Sequence, residues 1–136
     1  MIDFDRMRYL MKMRPKASFR VEKAMARATK VTTVLTGMPR GGHSEDMADH
    51  VEHLIVCQNL LNNIDYELEN LRRDLEPELE TIMDPNYRQV MVYRYMRGYS
   101  VRRIMRMMCY SESHTFRILR DCERAINTTL QSGQNR

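Results

Sequence analysis

The sequence predicts an all-α fold on three observations. Apolar residues recur at helical spacing along most of the chain, and no segment shows the strict alternation of a half-buried strand. Five glycines and four prolines leave little material for hairpins. In the first 35 residues, Ile2, Phe4, Met7, Leu10 and Met11 lie close to one helical face. Pro15 is expected to break or restart that helix. From Phe19 onward, Val21, Ala24, Met25, Ala28, Val31 and Leu35 form a second stripe, with Lys and Arg elsewhere. A loop is expected over residues 36–44, where Gly37, Pro39, Gly41 and Gly42 crowd together, and Ser44 is the candidate cap of the next helix.

The next helix carries a period of seven. Met47, Leu54, Leu61, Leu68, Leu75 and Ile82 are seven apart, and Cys57, Ile64 and Leu71 follow three after their partners. These are the a and d positions of a coiled-coil stalk, and Pro77 is expected to kink or end the helix near Glu76. The seam residues Leu54, Cys57, Leu61, Ile64, Leu68, Leu71 and Leu75 can close an internal hairpin against residues 17–35 or join subunits. Three short helices are then expected. Asp84 and Pro85 start the first, which ends at Gly98; Ser100 caps the second; Ser111 caps a third running to about Leu130. The resulting organisation is a helical and coiled-coil region over 1–82, a three-helix domain over 83–130, and a disordered tail over 131–136.

At 136 residues, 43% hydrophobic and 29% charged, with mean hydropathy −0.59, the composition is that of a foldable soluble chain. No run approaches the length of a transmembrane span, and no membrane partner is expected. The first residues carry Asp3 and Asp5 where a signal peptide needs a basic region, so none is expected. Three cysteines without CxxC spacing point to a reducing cytoplasm and away from a zinc module or disulfide scaffold.

Charge is distributed in blocks. Residues 1–36 hold nine Lys/Arg and three Asp/Glu, residues 37–80 three and eleven, and residues 81–136 ten Arg and four acids. Pairing residues 17–35 with residues 45–76 would let the first basic block face the acidic one. The last block then needs an anionic partner, most simply double-stranded DNA.

A short helix, a tight turn and a longer capped helix among arginines is the layout of a helix-turn-helix. Its second helix enters the major groove, so exposed side chains near its start must bond base edges. Glu112, Ser113, His114 and Arg117 are the expected base readers, with Ser111 as the recognition-helix cap. Arg102, Arg103, Arg106 and Arg120 are the expected phosphate contacts, and Ile118 and Cys122 should face the core, with Thr115 at its edge. Exposed arginines on small helices also occur in plain packing modules.

The run from Tyr87–Val90 through Arg94-Tyr95-Met96-Arg97-Gly98-Tyr99-Ser100, then Ile104, Tyr110-Ser111 and Arg117-Ile118, resembles the "RY-x-x-G-x-S … I … YS" pattern of sigma-70 region-4-like phage proteins. The chain resembles the RinA/ArpU-type late transcriptional regulators over about residues 36–126. That resemblance implies a phage-encoded DNA-binding activator of late genes, with Ser111 to Arg117 opening the recognition helix. Arg103, Met105 and Cys109 depart from the pattern, where the family has an acid, a small residue and a turn glycine. The departures could rotate the helix and make His114 the main reader in place of Arg117.

Other chemistry finds little footing. His50, His53 and Cys57 share a helix face, but Cys57 lies in the seam and reads better as a small buried hydrophobe, so no metal or cofactor is expected. Met105, Met107 and Met108 could mark a patch for RNA polymerase. No nucleophile turn or phosphate loop is present in the sequence, so an enzyme is not expected. The expected function is a sequence-specific transcriptional regulator, oligomeric and acting in the host cytoplasm. A packaging protein of the terminase small-subunit kind and a helical interaction module are the alternatives.

Overall fold

The computed structural model describes residues 1–37 and 43–134, and the side chains of residues 1–30 and 47–134. It is all-α: the described residues form helices and turns, with no strand among them. In order these are α1 (Phe4–Gly37), α2 (His43–Leu79), α3 (Pro85–Met91), α4 (Val101–Met108) and α5 (Glu112–Gln134). A single π turn, Val92–Met96, prolongs α3.

Pro15 does not break its helix, contrary to the sequence expectation, whereas α2 ends at Leu79, two residues after Pro77 and close to the expected end near Glu76. α1 runs through Pro15 and α2 through Pro77. Each ring removes one backbone hydrogen bond, but buried side chains clamp the chain on both sides. Leu10 and Ala17 are buried around Pro15, and Leu75 and Leu79 around Pro77. Of the expected loop over 36–44, Thr36 and Gly37 belong to α1 and His43 and Ser44 to α2; residues 38–42 and the proposed Ser44 cap lie outside the described residues and side chains. The expected disordered tail is also corrected. α5 continues past Leu130 to Gln134, and only residues 135–136 lie outside the described residues.

The chain divides into two compact units whose boundary differs from the expected split at residue 82. Unit 1 comprises Met1–Tyr9 and Leu68–Arg136, and unit 2 comprises Leu10–Glu67. In unit 2 the predicted stripe and seam meet. Val21, Ala24 and Cys57 form a buried cluster with Leu54 and Leu61 packed against it, and Ile64 is buried further along. This stretch of the heptad seam is therefore filled from within the chain by α1. Small residues on α1, Ala17 and Ala24, are both 2% exposed and allow close approach. Arg14 Nε donates to Asp65 Oδ1 at 2.6 Å. Met25, placed on the sequence stripe, is exposed instead.

In unit 1 the core gathers Val90, Met91, Tyr95, Ile104, Ile118 and Ile126, with Leu68 and Leu75 of the seam also buried and Leu71 half-buried. The N-terminal residues belong to this core. Asn127 clasps the backbone of Ile2, accepting from its N–H at 2.9 Å and donating to its carbonyl at 3.1 Å. The Phe4 ring packs against Tyr95 with centroids 5.1 Å apart.

The fully buried Tyr95 hydroxyl accepts from Arg8 Nη1 at 2.8 Å and donates to Glu123, which Arg8 also reaches at 2.9 Å. Burial and the neighbouring Glu123 hold the Tyr95 phenol above its ordinary range. Burial alone would lower Arg8, but Tyr95, Glu123 and Asp5 hold it above its usual value. Arg72 Nε also bonds the Tyr95 carbonyl, at 2.8 Å.

Candidate nucleic-acid interface

The site is built from α3 forward by a succession of caps. Asp84 accepts from the Asn86 N–H at 2.9 Å, with Pro85 as the first helical residue. The π turn closes with the Arg97 N–H on the Val92 carbonyl at 3.0 Å, and Gly98 adopts φ 71°, a conformation that glycine takes at no steric cost. Ser100 Oγ accepts from the Arg103 N–H at 3.2 Å and starts α4. All three expected starts stand where the sequence placed them.

α4 ends at Cys109, in the left-handed region at φ 57° and ψ 41°. This is the position where the sequence pattern has glycine. Ser111 then caps α5, its Oγ accepting from the His114 N–H at 3.2 Å. The Ser111 carbonyl takes both the N–H and the hydroxyl of Thr115, at 3.0 and 2.9 Å. Thr115 is fully buried, not at the core's edge, and these two bonds satisfy it.

The inner face of α5 is sealed by Thr115, Ile118, Leu119, Cys122 and Ile126 against the core that holds Ile104 of α4. Burial, with Asp121, Glu123 and Asp84 nearby, pushes the Cys122 thiol up to about 11. Met105 and Met108 of α4 are half-buried.

Outward, α5 presents Glu112, Ser113, Phe116, Arg117, Arg120, Asp121 and Arg124 along a shallow depression. Three of the four expected base readers, Glu112, Ser113 and Arg117, are exposed on this face. His114 is placed differently: it is half-buried, its ring edge-on to Tyr110 at 4.7 Å and 82°. Arg120, expected to hold phosphate, lies on the same row as Arg117.

Three residues of this face escaped the sequence reading: Arg124, Phe116 and the acid Asp121. Arg124 continues the row one turn beyond Arg120, and its i+4 spacing could have revealed it. Phe116 is 39% exposed, and an aromatic beside core positions gives no sequence signal of facing outward.

Arg102, Arg103 and Arg106 on α4 are all exposed. The Arg103 guanidinium lies 3.8 Å from the centroid of the Tyr99 ring, which stacks on Tyr93 at 5.5 Å. That stack orients Arg103 while leaving its N–H groups free to bond an oxyanion. Arg94 Nη1 donates to the Tyr99 carbonyl at 3.0 Å and is held below its usual value by burial.

Chemically, the face offers three guanidinium forks, a hydroxyl, two carboxylates (Glu112 and Asp121) and one aromatic ring on a capped helix. Among the described residues no group of three or more His, Cys, Asp or Glu converges to hold a metal ion; in the sequence's candidate cluster, Cys57 Sγ lies 3.6 Å from His53 Nε2. No helix of the described residues is long and apolar enough to cross a membrane.

No curated protein and no solved structure matches the chain. A family model does match it over residues 28–127, most of its length and all of the α4–α5 site, and the chain belongs to that family, DUF1492, described as a protein of unknown function.

Proposed function

We propose that the chain is a sequence-specific, double-stranded-DNA-binding transcriptional regulator, a phage-encoded activator of late genes as its resemblance to the RinA/ArpU-type regulators implies. The observation that carries this reading is the row Ser113, Arg117, Arg120 and Arg124 on the exposed face of a capped helix, set behind a short helix by a left-handed turn. Arg117 suits bidentate bonding to guanine O6 and N7, and Glu112 can accept from cytosine N4. Arg102, Arg103 and Arg106 supply phosphate contacts that fix register without reading sequence.

The reading assigns no catalysis and no cofactor, and it places the protein in the host cytoplasm. Bacterial RNA polymerase is the proposed protein partner, through the methionines of α4, of which Met107 is 46% exposed. A homo-oligomer is proposed because the stalk leaves Ile55 and Val56 exposed at 55% and 61% outside the filled seam.

Selection from a random DNA pool tests base reading. Arg117→Ala should relax preference at one operator position by about 1–3 kcal/mol and leave non-specific binding nearly intact. Changing Arg102, Arg103 and Arg106 to Gln should weaken all sequences alike, lowering the salt slope by roughly 0.9 per contact. Should Arg117→Ala and His114→Ala both return the wild-type motif, α5 is not the reader and the interaction-module reading replaces this one. Reporter activation then separates a regulator from a terminase-type packaging protein.

A further inference from the structure

The first basic block of the sequence is expected to be neutralised by the acidic block that follows it, and the side chains do otherwise. Of the α1 cations in unit 2, Arg14 pairs with Asp65. The other six, Lys12, Lys16, Arg20, Lys23, Arg27 and Lys30, are all exposed, and among the described residues none of them pairs with a carboxylate.

Their spacing is regular. Successive members are four, four, three, four and three residues apart, so each lies one turn beyond the last. At 3.6 residues per turn the six fall within an arc of about 80° and form a straight row about 27 Å long. The buried residues Leu10, Ala17, Val21 and Ala24 occupy a different face, and Glu22, the lone acid of this stretch, falls outside the arc. The Phe19 ring lies 4.8 Å from the Lys23 ammonium and is the large apolar neighbour of the row.

We infer that this face of α1 is a second nucleic-acid surface, one that holds the phosphate backbone of duplex DNA without reading its sequence. Phe19 is a single exposed aromatic at the margin of the row, whereas a protein interface gathers several aromatic or apolar anchors at its centre and is depleted in lysine. This row is mostly lysine, a point-charge phosphate binder on a flexible stem. A positive charge about every 5.4 Å is sparser than the one negative charge per 3.4 Å on each DNA strand, so every cation of the row has a phosphate to neutralise. The inference goes beyond the base-reading role of α5 and does not require it.

The test measures binding of the full chain to a 30-base-pair duplex of random sequence by fluorescence anisotropy across a KCl series. One variant changes all six cations to Gln, and a second changes only Lys16, Arg20 and Lys23. Gln has nearly the helix propensity of Lys and Arg, and circular dichroism checks that helicity is kept. The six-fold variant should bind at least tenfold more weakly, with the salt slope lower by about 5; the three-fold variant should lose about half of that slope.

A third variant, with Arg117, Arg120 and Arg124 changed to Gln, separates the two surfaces. If it loses the selected motif while both α1 variants keep the wild-type slope, the inference falls and base reading by α5 stands. If the α1 variants lose slope while the third variant keeps its motif, the inference stands and the α5 reading falls. If the wild type shows no salt-dependent binding, both fall. If the α1 variants keep their DNA slope and instead lose binding to poly-glutamate, the row docks an acidic polypeptide and the inference is overturned.

Discussion

In unit 1 a half-buried polar cluster around the buried Tyr95 joins segments far apart in the chain, whereas in unit 2 a run of small and apolar side chains closes two long helices. Tyr95, Arg8 and Glu123 meet around one hydroxyl, and Asn127 grips the backbone of Ile2 across 125 residues. Val21 and Ala24 simply pack, Cys57 adds only a sulfur contact to His53 one turn before it, and Leu54 and Leu61 cover them. A hydrogen-bonded cluster accepts one geometry, because a displaced partner leaves a buried polar group unsatisfied. An apolar seam is held by non-directional burial, and its register follows from periodicity alone. The unit carrying the α4–α5 site is the one whose geometry is pinned, as base reading to within a fraction of an ångström would require.

The sharpest way to break this contrast is at Tyr95. Tyr95→Ala removes a fully buried ring that packs on Phe4 and the hydroxyl that Arg8 and Glu123 share. A loss of about 3–5 kcal/mol is expected, as for other buried aromatics cut to alanine. Denaturant unfolding measures it, and amide exchange in α3 to α5 should rise. A loss below about 1 kcal/mol would show that the polar cluster is incidental to unit 1.

Ile64→Ala probes the other mode of construction. Ile64 is 7% exposed in unit 2, and its removal leaves a cavity without orphaning a polar group. The expected cost is about 2–3 kcal/mol, toward the lower end for such truncations because two packed helices can close partly over the gap. A cost exceeding that of Tyr95→Ala would invert the comparison and make the seam the more demanding structure.

Legibility followed the range of each interaction. Asp84, Ser100, Ser111 and Gly98 act within three or four residues, so their roles were readable from local chemistry. The heptads were readable because burial repeats: each of the seven predicted seam residues is buried or half-buried, while Val51, Ile55, Val56 and Leu60 between them are exposed. The place of residues 1–9 in unit 1 was not readable, since nothing local to Ile2 announces Asn127. Pro15 misled because a local rule met tertiary burial on both sides, at Leu10 and Ala17, while α2 does end within a turn of Pro77. At the site, Arg117 and Arg120 were legible and Arg124 was not, while His114 turned toward Tyr110 and Phe116 turned outward, and these last two depend on where neighbouring helices lie.

The smallest effect expected is also the one of opposite sign. Cys109 holds φ 57° between α4 and α5, a conformation that costs a residue with a Cβ about 1–2 kcal/mol. It is exposed, and beyond its helix-ending backbone bonds its thiol makes a single long approach to the Arg106 carbonyl at 4.0 Å, so little is lost with the side chain. Cys109→Gly removes the clash but adds freedom to the unfolded chain, which offsets roughly 0.5–1 kcal/mol of the gain. The net should be a stabilisation of about 0.5–1 kcal/mol, seen as a higher denaturant midpoint at unchanged slope. On the proposed DNA-binding reading, the same variant should keep the wild-type motif if the angle between α4 and α5 is fixed by the buried Ile104, Thr115 and Ile118 and not by the turn. A changed motif with raised stability would place control of the reading angle in the turn, and a lowered midpoint would mean the thiol's contact outweighs the strain it sits on.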